Sequence, residues 1–125
     1  FLFNLTDGRD YLKVDSEKIF MILKNLIENG IIYNKNSEPE VIIKVDEKGD
    51  RYNISVEDNG IGIPIYEQDK IFERFYRIDK ARTSNLGGTG LGLSIVKTLI
   101  EKCGGGLVID SIEGKGTIFS FYILK

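Results

Sequence analysis

Two asparagines four residues apart, Asn25 and Asn29 in the run NLIENGIIYN, sit on a segment whose apolar spacing is that of a helix. One helical turn stacks them on one side. An amide oxygen there can ligate a hard cation such as Mg2+ or hold its waters, and an amide NH2 can bond a phosphate oxygen. Read blandly, they are two solvated surface amides. Met21, Ile22 and Ile32 fall on roughly the same side, however, and a polar pair ringed by apolar residues suits a surface that something covers. A second cluster, Asp58-Asn59-Gly60-Ile61-Gly62, follows directly on a strand-like run. D-N-G alone is a common turn, whereas the wider D-x-G-x-G spacing is more informative. A carboxylate at a strand end can accept from an exocyclic amine such as that of adenine, and Gly60 and Gly62 let the backbone approach a flat ring.

The third cluster is Gly87-Gly88-Thr89-Gly90-Leu91-Gly92-Leu93, which runs into a helix. Glycines free backbone N–H groups to face an anion, and a helix start adds its positive dipole end. It is not a P-loop, because Leu93 follows Gly92 and no G-K-[ST] occurs, and no strand leads directly into it as a dinucleotide fingerprint requires. The fourth is Ile71-Phe72-Glu73-Arg74-Phe75-Tyr76-Arg77. Phe72 and Phe75 have the spacing to anchor a short helix as a hydrophobic staple. Arg77 stands at the base of a polar loop, from where a guanidinium can reach a phosphate.

The elements that must hold these clusters are legible from apolar spacing. Residues 1–6 and 10–14 read as short strands split by Asp7-Gly8. Asp15 or Ser16 is a candidate cap for a helix over 16–33. At about 100° per residue, Ile19, Phe20, Leu23, Leu26, Ile27, Gly30 and Ile31 share an arc, the expected core face, with the asparagine pair opposite. Residues 40–47 and 51–58 flank Lys48-Gly49-Asp50 as an antiparallel hairpin, the second run turning Tyr52, Ile54 and Val56 inward. From 59 to 90 periodicity fails apart from a short helical piece at 67–76; a loop this long is usually functional. A helix over 91–103 ends at Gly104-Gly105-Gly106. Strands at 107–112 and 117–124 follow, joined by Glu113-Gly114-Lys115-Gly116. Strands flanked by helices predict a two-layer α/β sandwich.

Composition narrows the chemistry. The chain has 125 residues, 42% apolar and 29% charged, and fits one globular domain, 1–125. A net charge of −2 gives no basis for sequence-independent nucleic-acid binding. His is absent, which removes any His base, His phosphoacceptor or His metal ligand from within these residues. The single Cys103 forms no internal disulfide and suits a reducing compartment as an inert thiol. No apolar run approaches the ~18 residues of a membrane span, and no signal peptide is evident. The chain starts on FLFNL without Met, as expected of a domain excised from a longer protein.

In this order, the four blocks resemble the ATP-binding catalytic domain of sensor histidine kinases, within the superfamily that includes type II topoisomerases, heat-shock chaperone ATPases and mismatch-repair ATPases. NLIEN resembles the N box, DNGIG the first glycine box, IFERFYR the F box, GGTGLGLSIVK the second glycine box, and GKGT the terminal glycine motif. The resemblance implies the Bergerat fold: a mixed sheet, helices on one face, the other largely exposed, and a long ATP lid over about 64–90. It places adenine against Asp58, with Gly60, Gly62 and Ile63 nearby and Thr117 beside the pocket. It places Asn29 on Mg2+, with Asn25 and Tyr33 near the phosphates. Tyr76, Arg77 and Lys80 stand at the lid base, with Phe72 of the F box, and Gly88, Thr89, Gly90, Leu91, Gly92 and Leu93 run along the triphosphate. The reaction implied is γ-phosphoryl transfer from Mg·ATP to a histidine, for which Asn25, Asn29 and Arg77 are the candidate catalytic residues.

That histidine must lie on a separate dimerisation domain, with a response regulator downstream. The implied setting is the cytoplasmic part of a membrane-anchored bacterial sensor, this domain itself touching neither membrane nor nucleic acid. Hydrolysing members of the superfamily carry Glu where Asn25 stands, and an amide has no basicity to activate water. Asn25 and the F box therefore speak against a superfamily ATPase and against a serine-directed anti-sigma kinase. One position departs from the family pattern N-A-x-K-[YF]: Ile32 occupies the place of a phosphate-binding Lys. Lys35, Arg77 or Lys80 are the cations available to replace it. Without replacement, the chain is a degenerate nucleotide-binding signalling module with weak transfer. Gly30 for Ala is the lesser change, about 1 kcal/mol of helix propensity at most.

Overall fold

The alternation in residues 51–58 decides which way the sheet faces. In the computed structural model, which describes residues 2–5, 16–35, 37–74, 76 and 92–124, Tyr52, Ile54 and Val56 are buried while Arg51, Asn53, Ser55 and Glu57 keep contact with solvent. This strand, β3 (Arg51–Asp58), pairs antiparallel with β2 (Val41–Lys48) across a tight turn. On its other side it pairs antiparallel with β5 (Gly116–Leu124), which pairs in turn with β4 (Gly106–Ile112). The opening strand β1 (Leu2–Leu5) runs parallel to β2. The five strands lie in the order β1-β2-β3-β5-β4, a mixed sheet as expected. The second N-terminal strand, 10–14, falls outside the described residues.

Helix α1 (Ser16–Ile32) and helix α2 (Gly92–Lys102) pack on one sheet face. Their Ile19, Ile22, Leu26, Val96 and Ile100 join Val41, Ile43, Val45, Phe119, Phe121 and Ile123 in one buried cluster. The opposite face is open among the described residues and carries Lys44, Asn53, Ser55, Ser120 and Tyr122, with the Arg51 guanidinium 4.1 Å above the Tyr122 ring. Helix α2 stops where the glycine run predicts. Gly104 takes φ 72°, its N–H bonds Glu101 O at 3.0 Å, and Gly105 N–H bonds Ile100 O at 3.0 Å. This pair of bonds around a left-handed residue satisfies carbonyls the helix end would orphan.

The structure corrects the sequence reading in two places. The buried stripe of α1 is Ile19, Ile22, Leu26 and Gly30, whereas Phe20 and Ile31 are 63% and 52% exposed. The apolar residues of this helix extend over about half its circumference, wider than the buried stripe, so periodicity alone does not locate its core side. It is rotated because it packs on α2 as well as on the sheet. Asn25 and Asn29 therefore flank the buried stripe instead of opposing it, and Ile22 is core. The second correction concerns 67–76. The only helix there among the described residues is the 3-10 turn Ile65–Glu67. Single i→i−3 bonds follow, Lys70 N to Glu67 O, Glu73 N to Lys70 O and Tyr76 N to Glu73 O, so among the described residues the chain advances by separate turns without an α-helical ring.

Candidate functional site

Asp58 ends β3 directly beneath the last full turn of α1. Its Oδ1 accepts the Gly60 N–H at 2.8 Å, and the Thr117 N–H from β5 also donates to the carboxylate. Burial raises the Asp58 pKa above the ordinary value of 3.8; the two N–H donors oppose that shift and Glu57 adds to it. Helix and carboxylate meet at Gly30, where a methyl group would stand 3.0 Å from Asp58 Cβ and 3.2 Å from Oδ2. Gly30 is thus a clearance position as well as a helix residue, and the propensity gain from Ala is opposed by crowding against Asp58. Gly60 is similarly tight: a Cβ there would lie 2.6 Å from Tyr33 O.

Asn25 and Asn29 lie half-buried one turn apart on the flank of α1. The Asn25 amide donates to Met21 O at 2.7 Å, which fixes its orientation. Its Oδ1 is left facing the start of α2, where a Cβ on Gly92 would stand 2.9 Å away. The N box and the Gly92 end of the second glycine box therefore meet at the helix start. Leu93 turns inward and packs against the core.

The far wall comes from the β4–β5 hairpin. Gly62, at φ 73°, has its missing side chain pressed on the Ile112 carbonyl, a conformation and a space that only Gly fills. Ile63 is buried, and its N–H bonds Ser111 Oγ at 2.8 Å. Ser111 Oγ also donates to Gly116 O at 3.0 Å and lies 2.8 Å from Thr117 Oγ1. With the Ser111 proton on that carbonyl, Thr117 is the donor to Ser111, and the Thr117 oxygen keeps lone pairs to accept from a ligand. Gln68 braces the wall, its Nε2 donating to Ile63 O at 2.9 Å and to Ser111 O at 3.3 Å.

At the lid base, the Phe72 ring meets Phe119 edge to face, centroids 6.3 Å apart at 78°. Tyr76 donates its hydroxyl to Glu67 Oε1 at 2.6 Å. That bond, with some burial and the nearby acidic groups, pushes its pKa from 10.0 up to about 12. Stability from the protonated phenol is intact below the unfolded value of 10.0 and is lost as pH rises through about 12. In an absorbance titration, the tyrosine component near about 12 should vanish in Tyr76→Phe and move back toward the ordinary range in Glu67→Gln; an unchanged curve for Glu67→Gln would refute the bond. Arg77, Lys80, Gly88, Thr89, Gly90 and Leu91 lie outside the described residues, as does Phe75.

The chain matches known proteins. The family described as histidine kinase-, DNA gyrase B- and HSP90-like ATPase matches residues 14–125. The chain belongs to this family. Sensor histidine kinase WalK of Bacillus subtilis is 47% identical over 122 residues, 97% of this chain and 20% of WalK. Sensor protein kinase WalK of Staphylococcus saprophyticus is 44% identical over 108 residues, 86% of this chain and 18% of its own. The chain spans about a fifth of the length of these relatives. Among solved structures, the catalytic domain of histidine kinase ThkA superposes with a TM-score of 0.80 at 29% identity, covering 99% of this chain and 77% of that one. Full-length ShkA in complex with AMPPNP superposes at 0.81 with 26% identity, covering 98% of this chain and 25% of ShkA. ATP is accordingly the nucleotide of this histidine-kinase-type ATPase domain.

Sequence reasoning gave no role in this ATPase domain to Ser111, Gln68, Asn34 or Asn59. A signal existed for Ser111: it is a polar residue at an inward position of β4, in phase with Leu107 and Ile109, and a buried hydroxyl needs a partner. Gln68 carried no signal, since its partners lie across the fold in residues 63 and 111.

Proposed function

We propose that this domain binds Mg·ATP and transfers the γ-phosphoryl group to a histidine on another domain of its parent protein. The observation that carries this reading is Asn25. It stands at the mouth of the second glycine box as an amide already bonded to Met21 O, in the place where water activation would need a carboxylate. The acceptor is external, since the chain contains no His. In the reaction, a lone pair of the imidazole forms the N–P bond as the bond from γ-phosphorus to the bridging oxygen breaks, and ADP leaves with that electron pair. The transition state is loose, so the protein contributes mainly position and charge neutralisation. Asp58 accepts the adenine amine, Thr117 backs the pocket, and the Gly92 end of α2 faces the phosphates with its N–H groups.

Among the described residues no cluster of acidic, Cys or His side chains is set to hold a metal by itself. The donor set instead fits a cation that arrives with the phosphates and takes one amide oxygen, from Asn29. When bound, Mg2+ would neutralise charge developing on the phosphate oxygens. The parent is inferred to be a membrane-anchored sensor with its kinase region in the cytoplasm and a response regulator as the next acceptor. No helix among the described residues is long and apolar enough to cross a membrane.

Incubating the domain with its cognate histidine-bearing domain and γ-labelled ATP should leave acid-labile label on the latter. Binding without transfer would refute the kinase reading and favour a second one, a degenerate nucleotide-binding signalling module, for which Ile32 speaks. Steady hydrolysis by the isolated domain would refute both.

A further inference from the structure

We infer that Asn34 and Asn59 are positioning residues that clamp the phosphate end of the site to its adenine end; this rests on the Mg·ATP reading above. Asn34 lies two residues beyond α1, and its side-chain NH2 donates to Gly30 O at 3.2 Å and to Asn59 Oδ1 at 2.7 Å. Asn59 follows Asp58 directly. Its Oδ1 also accepts the Glu40 N–H at 2.9 Å, and its Nδ2 donates to Glu38 O at 3.1 Å. Two backbone bonds run alongside, Ile61 N to Tyr33 O at 3.0 Å and Asn59 N to Glu40 O at 3.3 Å.

The chemistry requires an amide at both positions. Asn34 must present two donors, one to its own helix end and one across the gap. Asn59 must accept twice on one atom and donate from the other, which neither a carboxylate nor a hydroxyl does. Flipping the Asn59 amide would set its NH2 against two donors, so the orientation is determined. The clamp joins two elements that carry different parts of the ligand. Asn29 rides on α1 one turn before Tyr33, and Asp58 rides on β3. Backbone pairing fixes Asp58 in the sheet, but α1 meets that strand end across Gly30, where there is no side chain to set the distance. Asn34 and Asn59 set it.

A residue that couples two half-sites affects ligands spanning both more than ligands touching one. The test measures, by calorimetry on the 125-residue chain, the affinity for ADP in chelator and for ATP with Mg2+. For Asn34→Ala, affinity for Mg·ATP should fall about tenfold, while affinity for metal-free ADP stays within about twofold. Asn34→Gln, which keeps both donors, should recover part of the loss. Equal losses for both ligands, or a lower melting temperature with the affinity ratio unchanged, would reduce the pair to a loop tie and overturn the inference. Failure of the parent chain to bind either nucleotide would take down the functional reading and the clamp with it. Nucleotide binding with no gain from Mg2+ would remove the coupling alone.

Discussion

Asp58→Asn should weaken ATP binding about 10- to 100-fold, the loss expected when a hydrogen bond to a charged acceptor is removed. The substitution keeps an oxygen for the Gly60 N–H, so the loop that follows β3 retains its turn. It turns an NH2 toward a ligand amine and sets donor against donor. The same variant reads the cost of burying the charge. The pKa of Asp58 is raised by desolvation, so the folded chain holds that proton more tightly than the unfolded one. Its contribution to stability is present below the unfolded value of 3.8 and declines as pH rises through the higher folded value. Over that window the melting temperature of the parent should drift downward relative to Asp58→Asn. Affinity of the parent for ATP should fall on acidification sooner than an ordinary aspartate would dictate. Thermal melts and calorimetry from below 3.8 up to neutral pH check both; a flat difference between the two melting curves would contradict burial as the cause, and unchanged affinity in Asp58→Asn would remove it from the adenine pocket.

Ile32→Lys should tighten Mg·ATP binding by about 10- to 100-fold, a charge-assisted bond being worth about 1.5–3 kcal/mol. Ile32 is half-buried in the final turn of α1, and that turn contains no basic residue. A cation there meets the negative end of the helix dipole, worth about 0.3–1 kcal/mol, which offsets part of the cost of removing an apolar side chain from its packing. The fold should therefore tolerate the change, and the gain should appear in affinity measured by calorimetry. No gain would mean that the phosphates already have a cation, of which Lys35, exposed just beyond the helix, is the described candidate.

Much of the fold is readable from the chain alone. Strand β3 alternates so regularly that Tyr52, Ile54 and Val56 can only face inward, and the short motifs single out candidate site residues because each depends on local chain geometry. What escapes such a reading is what depends on two partners at once. The core side of α1 is set by α2 as well as the sheet, and an apolar face about half the helix wide does not say which part of it is buried; Ile22 and Phe20 exchange places for that reason. The run 67–76 has helical composition, but its described residues form separate turns, with Phe72 packed on Phe119 across the fold. The hubs at Asn59, Gln68 and Ser111 bind residues far away in sequence, where no window along the chain sees them.

The seam between β3 and β5 has a consequence for how the chain is made. Asp58 faces Thr117 across it, so two strands that are neighbours in the sheet are far apart along the chain, with β4 the intervening strand. Closing such a separation carries an entropy that grows only logarithmically, about 0.6 kcal/mol per doubling of length. The hairpins β2–β3 and β4–β5 form from neighbouring residues, whereas joining them is a long-range event, the kind of contact that slows folding. On the ribosome, β3 waits with one edge unpaired until β5 has been synthesised, and during that interval the nascent chain is most exposed to pairing with the wrong strand.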